Sequence, residues 1–249
     1  DLPTDRSRPD LFGFRGGVVI HALNRELSEQ IQAYCSKNQL TAYMFYTGVY
    51  GVMLSKYAGQ KDLVLGSPVS NRTTPELMDI CGPFLETLPL RLLPTGTVAD
   101  YYGHLRKKVL ALLDHSKITL EEIIEGAGIP RSLAGNPLFR VFFSMRPMDA
   151  SAFAFGGQKA SYRQISTSTS KLDLSLEVAE SEGATQLFFE YSKELFEEET
   201  IRLYARSFET IAREIVASEV ETVEEISGIA PQDRVKYIER PAKRVAPYL

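Results

Sequence analysis

One apolar stretch, AYMFYTGVYGVML at residues 42–54, constrains the fold of this chain most strongly. A helix that crosses a bilayer needs about 20 consecutive apolar residues, so this stretch is too short to span a membrane. It is typical of a helix, over about 41–57, that is apolar nearly all the way round and lies inside a globular protein. The chain has 249 residues, which is enough to build a substantial core around such a helix.

Strand and helix patterns alternate along the rest of the chain. Short β-rich or alternating runs predict strands at 17–23, 62–69, 84–93, 138–145, 172–178 and 185–191. Helical spacing and capping residues predict further helices after Asn24, at Pro75, at Val98, near 119 and near 197. The last two strands are expected to pair as an antiparallel hairpin, and Pro89 confines the strand 84–93 to a sheet edge or a bulge. We therefore predict an α/β or α+β fold with a mixed sheet and helices packed on it.

The two ends of the sequence have the composition of linkers. Residues 1–15 are polar and contain Pro3 and Pro9, so we expect order to begin near Gly16. The sequence after residue 227 is basic and contains proline, which is typical of a short helix and a tail. The chain has no signal-peptide pattern and no initiator methionine. We expect a cytoplasmic protein, and a piece of a longer chain.

Charge and ligand spacing argue against several classes of function. The net charge of −4 provides no basic surface for nucleic acid. Cys35 and Cys81 lie far apart without CxxC spacing, which argues against a disulfide framework or a zinc site. The three histidines, His21, His104 and His115, form no HExxH pair, and we interpret them as structural. The sequence predicts no metal site, no nucleic acid partner and no membrane partner.

Two stretches are candidates for a functional site because each places an arginine among apolar residues, where it needs a partner. CGPFLETLPLR at 81–91 carries Arg91, and SLAGNPLFRVFFSM at 132–145 carries Asn136 and Arg140. Pattern alone leaves open whether these arginines serve a site or only pair structurally. One face of the second stretch is predicted to be core, namely Phe139, Val141, Phe143 and Met145. The other face is mixed enough to border a channel, namely Leu138, Arg140, Phe142 and Ser144.

Acidic residues cluster at 177–182 and again at 194–199. The first cluster flanks the predicted hairpin turn, and the second begins the last helix, where the helix dipole favours negative charge. We therefore interpret both clusters as structural.

Several motifs resemble those of condensation domains from nonribosomal peptide synthetases. CGPFLETLPLR is similar to the fifth motif of that family, (I/V)GxFVNTxxxR, and RSLAGNPLF at 131–139 is similar to the seventh, RDxSRNPL. HSKITLEEII at 115–124 lies where the sixth motif falls, and DLVLGSPVSNRTTPEL at 62–77 resembles the segment that leads to the fifth. In order and spacing, the chain resembles the C-terminal lobe of a condensation domain, within the chloramphenicol-acetyltransferase-like superfamily.

This resemblance implies an activity and a set of partners. The amine of a carrier-bound acceptor would attack the thioester of a carrier-bound donor and form a peptide bond. The family's HHxxxDG motif belongs to the first lobe and is absent here, so this lobe would supply no catalytic residue and would be inactive alone. The substrates would be carried on the phosphopantetheine of carrier domains, with no cofactor bound directly. The implied partners are the N-terminal lobe, the peptidyl carrier domains and an adjacent adenylation domain.

The resemblance also implies which residues line or support the active site. Arg91 stands where the family arginine pairs with the aspartate of the histidine motif, and Asn136 stands where the seventh-motif asparagine lies near the active centre. Arg131 matches the first residue of the seventh motif, Arg140 lies in the strand after it, and Glu86 replaces the usual asparagine of the fifth. The sequence departs from the two motifs at further positions, namely Cys81, Ser132, Ala134 and Gly135.

The same resemblance divides the chain and leaves alternatives open. Residues 1–15 would connect the two lobes, 16–227 would form the C-terminal lobe, and 228–249 would lead toward an adenylation domain. One alternative is a non-catalytic module of the same fold that docks a carrier protein or a partner enzyme. Another is a free-standing acetyltransferase-like protein, against which the linker-like tail argues. An intact HHxxxDG upstream would favour catalysis, and a degenerate one would favour docking.

Overall fold

A computed structural model describes residues 2–72, 74–130, 135–147, 154–155, 158–159, 165, 167–181, 184–229 and 233. The strands are β1 Gly16–Leu23, β2 Leu63–Ser70, β3 Leu85–Leu92, β4 Val141–Pro147, β5 Ala154–Phe155, β6 Gln158–Lys159, β7 Leu174–Ser181 and β8 Ala184–Ser192. The helices are α1 Arg25–Lys37, α2 Ala42–Ala58, α3 Pro75–Met78, α4 Val98–Asp114, α5 Leu120–Gly126 and α6 Glu198–Ala217.

A mixed sheet of six strands, in the order β1-β8-β7-β4-β2-β3, organises the fold. The central strands β2, β4 and β7 run parallel to one another, and each remaining neighbour pairs in the antiparallel sense. β5 and β6 form a separate two-stranded sheet. The predicted mixed sheet with helices packed on it is confirmed, and so is the β7–β8 hairpin. β3, which contains Pro89, lies at an edge of the sheet as predicted.

Helix α2 lies in the interior, as the apolar stretch predicts. The Thr41 side chain caps its first turn by accepting from the Met44 amide, and Gly59 ends it in the left-handed conformation, with φ of 63°. Residues 44–54 are all buried. Gly48 gives room for Tyr102 of α4, since a Cβ there would lie 2.4 Å from the tyrosine ring. The inward side of α2 is therefore shaped to accept aromatic rings.

The helices α1, α2, α4 and α6 cover one face of the sheet, which we call the helix face. Alternate residues of each strand point into the core on this face because successive side chains of a strand point to opposite sides. The buried residues that face the helices include Val19, Leu65, Leu90, Phe143, Leu176 and Phe189. The opposite side of the sheet is the open face.

In the described part of the chain, no helix is long and apolar enough to cross a membrane.

Strand β4 begins later than predicted, at Val141 rather than near 138. The side-chain oxygen of Asn136 accepts hydrogen bonds from the amides of Leu138 at 2.9 Å and Phe139 at 3.2 Å. These bonds hold the backbone in a turn and use the amides that a strand would direct to its neighbour. An asparagine before the apolar run therefore delays the strand.

The amino-terminal segment is more ordered than its composition predicts, and the expectation that order begins near Gly16 is wrong. The amides of Asp5 and Arg6 donate to the carbonyl of Leu195, at 2.9 and 3.1 Å. The Arg8 guanidinium pairs through both terminal nitrogens with the carboxylate of Asp173, which is only 5% exposed. These partners lie far away in sequence, so composition could not reveal them.

Candidate functional site

A cleft of about 530 Å³ lies on the open face of the sheet. We call it the open-face cleft. Its floor is formed by residues of the sheet, namely Val18, Thr87, Phe142, Ser144, Ser175, Glu177, Phe188 and Glu190. Its walls are formed by Leu120, Asn136, Phe139, Lys171 and Leu172. The cleft therefore combines apolar walls with a partly charged floor, and its size is typical of small-molecule sites.

The alternation of β7 places polar side chains in this floor. Leu174, Leu176 and Val178 are fully buried on the helix face, while Ser175 and Glu177 line the cleft. The sequence predicts this half-solvated strand, but the predicted alternation of buried and exposed side chains is wrong for the first two residues of the run. Leu172, expected with the other leucines, lines the cleft, and Asp173, expected in solvent, is buried against Arg8. Both residues precede β7, where the alternation does not apply.

One wall of the cleft is fixed by a close contact between Phe139 and Gly66. A Cβ at Gly66 would lie 2.3 Å from Cε2 of the Phe139 ring, so only glycine lets the ring lie on β2. The adjoining Asn136 holds the turn that presents Phe139, as described above. At the rim, Thr119 and Glu122 form a capping box that starts α5 and sets the position of Leu120.

The charges in the cleft fall into two groups. Arg146 Nε donates to Glu177 at 2.7 Å, and the Arg146 guanidinium lies 5.5 Å from the centre of the Phe188 ring. Glu190 is half-buried, and this burial raises the pKa of its carboxyl group. The Ser170 hydroxyl and the positive charge of Lys171 oppose that rise. The floor thus holds one carboxylate, Glu177, that is paired with an arginine. The burial of the other, Glu190, is only partly offset by nearby polar and charged groups.

Among the described residues, Asn136 of the predicted site lines the open-face cleft, and so do Phe142 and Ser144 of the face predicted to border a channel. Arg140 lines a second cavity of about 300 Å³, at the start of β2 and β4. Glu86 lies on β3 next to Thr87, so its side chain leaves the sheet on the side opposite the cleft residue Thr87. Arg131 lies outside the described residues.

Arg91 has a partner within this chain. Its Nε and a terminal nitrogen donate to the two oxygens of Asp62, at 2.8 and 2.6 Å, and its side chain is 59% exposed. The pair raises the pKa of Arg91 and lowers that of Asp62, chiefly through the hydrogen bonds. The predicted role of Arg91, with a carboxylate from another lobe, stays a prediction.

Sequence reasoning misses the charged residues of the cleft. It assigns Glu177 to a structural acidic cluster and gives Glu190 and Lys171 no role. The predicted hairpin could have indicated the two glutamates, because Glu177 and Glu190 occupy the polar positions of two strands predicted to pair. Among the described residues, no group of three or more His, Cys, Asp or Glu side chains could hold a metal ion.

His21, interpreted from the sequence as structural, contacts a helix. It lies on β1 and contacts the Glu209 carboxylate of α6 through Nε2 at 2.6 Å. His21 and Arg213 together lower the pKa of Glu209. This contact joins the edge strand to the last helix, on the side of the sheet away from the cleft.

The fold of this chain is shared with several solved structures from nonribosomal peptide synthetases and related biosynthetic systems. A four-domain nonribosomal peptide synthetase bound to AMP and glycine superposes with a TM-score of 0.85, at 17% identity, over 94% of this chain and 19% of that one. The first condensation domain of the calcium-dependent antibiotic synthetase gives 0.72 at 19% identity, over 89% of this chain and 50% of that one. The X-domain from teicoplanin biosynthesis, solved in complex with OxyB, gives 0.81 at 20% identity, over 92% of this chain and 52% of that one.

The sequence relationship identifies the family. The condensation-domain model matches residues 1–236, and the chain belongs to the condensation-domain family. Surfactin synthase subunit 2 of Bacillus subtilis (strain 168) is 36% identical over 220 residues, which are 88% of this chain and 6% of that protein. Tyrocidine synthase 3 of Brevibacillus parabrevis is 35% identical over 215 residues, which are 86% of this chain and 3% of that protein. The predicted family is confirmed, and the chain spans a small part of these relatives.

Proposed function

We propose that this chain is the C-terminal lobe of a nonribosomal peptide synthetase condensation domain, and that the complete domain joins two carrier-bound substrates through a peptide bond. The observation that carries the proposal is the open-face cleft, which lies on a sheet of the condensation-domain fold and beside the seventh-motif residue Asn136. The chain matches about half the length of the isolated condensation-domain structures, which supports the division into two lobes.

The proposed reaction needs more than this chain supplies. The acceptor amine attacks the thioester carbonyl, a C–N bond forms, and the C–S bond breaks to release the donor's thiol. A group must position or deprotonate the amine, and donors must stabilise the oxyanion. The HHxxxDG motif is absent from this sequence, so the missing lobe provides that chemistry. This chain provides one wall of the site, where Phe139, Phe142 and Leu172 exclude water from the reacting groups.

The partners follow from this division. Residues 1–15 connect the lobes, 16–227 form this lobe, and 228–249 lead to an adenylation domain. Carrier domains deliver both substrates on phosphopantetheine, and the lobe binds no cofactor of its own. Arg8 pairs with Asp173, so the proposed connector packs against this lobe where it meets it.

A non-catalytic docking module is the second candidate. Its support is the X-domain of teicoplanin biosynthesis, a protein of the same fold that was solved in complex with another protein, OxyB. In that case the cleft would keep its shape, while the upstream lobe would lack a usable histidine motif.

The test is an assay of the domain completed with its native upstream lobe. Carrier-bound donor and acceptor are mixed with it, and dipeptidyl carrier is measured by mass spectrometry. We expect product from the completed domain and none from the isolated chain. Product from the isolated chain would contradict the division of labour. No product from a completed, folded domain with an intact HHxxxDG would reject catalysis and favour docking.

A further inference from the structure

Glu190 occupies a distinctive position in the floor of the open-face cleft. It lies on β8 directly opposite Val18 of β1 and Ser175 of β7, and both neighbours also line the cleft. Directly paired residues of a sheet share a face, so the Glu190 carboxylate leaves the sheet between a valine and a serine. Neither neighbour carries a positive charge.

Among the residues that the structure describes, Glu190 lacks the ion pair that Glu177 has. Glu177 lines the same cleft and is paired with Arg146 at 2.7 Å. Within the described part of the chain, no ion pair at 4.0 Å or less engages Glu190. Lys171 acts on it only as a nearby charge, and the Ser170 hydroxyl, which donates to the Leu172 carbonyl at 2.7 Å, lies close to it as a polar neighbour. A half-buried carboxylate with this surrounding is best stabilised by a cationic ligand.

The two substrates of the proposed reaction differ in the charge of their reacting ends. An α-amino group has an ordinary pKa near 8, so an aminoacyl acceptor arrives largely as an ammonium ion. The acyl donor, by contrast, presents an uncharged thioester to the site. The acceptor is therefore the substrate whose reacting end matches a carboxylate.

We propose that Glu190 binds the ammonium group of the acceptor and so selects amine acceptors over uncharged ones. This inference rests on the proposed function. Glu190 acts in binding, before the amine loses its proton, and it takes no part in bond making. The apolar residues Phe142 and Phe188 of the same floor lower the local dielectric, which strengthens the attraction between carboxylate and ammonium.

The test uses the completed condensation domain and two acceptor mimics of equal shape, aminoacyl-pantetheine and hydroxyacyl-pantetheine. The inhibition constant of each mimic is measured against the carrier-bound acceptor for wild type and for Glu190→Gln. We expect Glu190→Gln to weaken the amino mimic about tenfold or more and to leave the hydroxy mimic unchanged. The KM for the true acceptor rises in parallel, while kcat changes little.

Two further variants keep the test decisive. Glu190→Asp retains the charge and is expected to recover part of the preference for the amino mimic, which a role in folding alone would not produce. Glu125→Gln removes the same charge from an exposed position on α5, outside the cleft, and is expected to change neither inhibition constant.

The outcomes separate this inference from the function on which it rests. If wild type forms the peptide bond and Glu190→Gln weakens neither mimic, or weakens both equally, the inference is wrong and the function stands. If Glu125→Gln reproduces the loss, net charge and not the Glu190 carboxylate is responsible. If the folded wild-type domain forms no peptide bond, both proposals fall.

Discussion

The two faces of the same sheet differ in what they demand of the sequence. On the helix face, the strands contribute large apolar side chains such as Phe143 and Phe189, which are fully buried. On the open face, neighbouring positions of the same strands carry Ser144, Glu177 and Glu190. Because one face fixes the register of the strands, the other face can vary its chemistry without loss of the fold. The residues that stabilise the core and those that line the proposed site therefore lie on opposite sides of one backbone.

Phe143 and Phe142 are adjacent on β4 and test this division most strongly. Phe143 is fully buried and its ring lies 5.4 Å from that of Tyr43, while Phe142 lines the cleft. We expect Phe143→Ala to lower the free energy of unfolding by about 3 to 5 kcal/mol, because it leaves a cavity in the core. Phe142→Ala should cost about 1 kcal/mol, because its environment is partly solvated. Chemical denaturation measures both, and equal losses would contradict the distinction between the faces.

Asp173 tests whether the amino-terminal segment belongs to the same folding unit as the sheet. Asp173→Ala leaves the Arg8 guanidinium without its buried partner, so we expect a loss of about 3 kcal/mol. Limited proteolysis should then cut within residues 2–12 faster than in wild type. The control is Arg25→Ala, which removes an exposed pair with Glu29 and should leave the free energy of unfolding almost unchanged. Unchanged cleavage in Asp173→Ala would show that the segment is held by other contacts.

Gly66 tests the contact between the sheet and the cleft wall. Gly66→Ala forces the Phe139 ring away from β2, and overpacking of this kind costs about 1 to 3 kcal/mol. Gly103→Ala is the matched control, because a Cβ there meets nothing within 4 Å and the helix α4 gains about 0.5 to 1 kcal/mol. Thermal unfolding should move in opposite directions for the two variants. A neutral Gly66→Ala would mean that Phe139 can adapt.

Substitution of Arg91, on the edge strand β3, is expected to change stability least and to separate an effect on activity from an effect on folding. The pair of Arg91 with Asp62 is exposed, so Arg91→Ala should change the free energy of unfolding only slightly. If Arg91 supports the active site as predicted, the same change should reduce the activity of the completed domain more than Arg140→Ala does. Equal activity in the two variants, with folding intact, would reject the assignment of Arg91.

Much of the fold could be predicted because it rests on local patterns. The apolar run of α2, the alternation of β7 and the proline of β3 each fix an element or its place through neighbouring residues alone. The start of β4 could not be predicted from hydrophobicity, because it depends on one hydrogen-bonding side chain, that of Asn136. The docking of residues 2–15 depends on partners that are distant in sequence, such as Asp173 and Leu195.

The site was harder to predict than the fold. The family motifs led to Asn136, which does line the cleft, but they carry no information on Glu190 or Lys171. Those residues come together only when β8 lies between β1 and β7. Their grouping depends on the order of strands in the sheet, which a single sequence does not determine.

The pairing of β1 with β8 also affects how the chain can fold as it leaves the ribosome. Gly16 pairs with Ser192, so the first strand has no partner until nearly all the elements between them have been synthesised. Contacts of such long sequence separation form slowly, and a strand that waits exposes its unpaired edge. The antiparallel pairs β2–β3 and β7–β8 can form as soon as both of their strands emerge, whereas β1, at one edge of the sheet, must wait for β8.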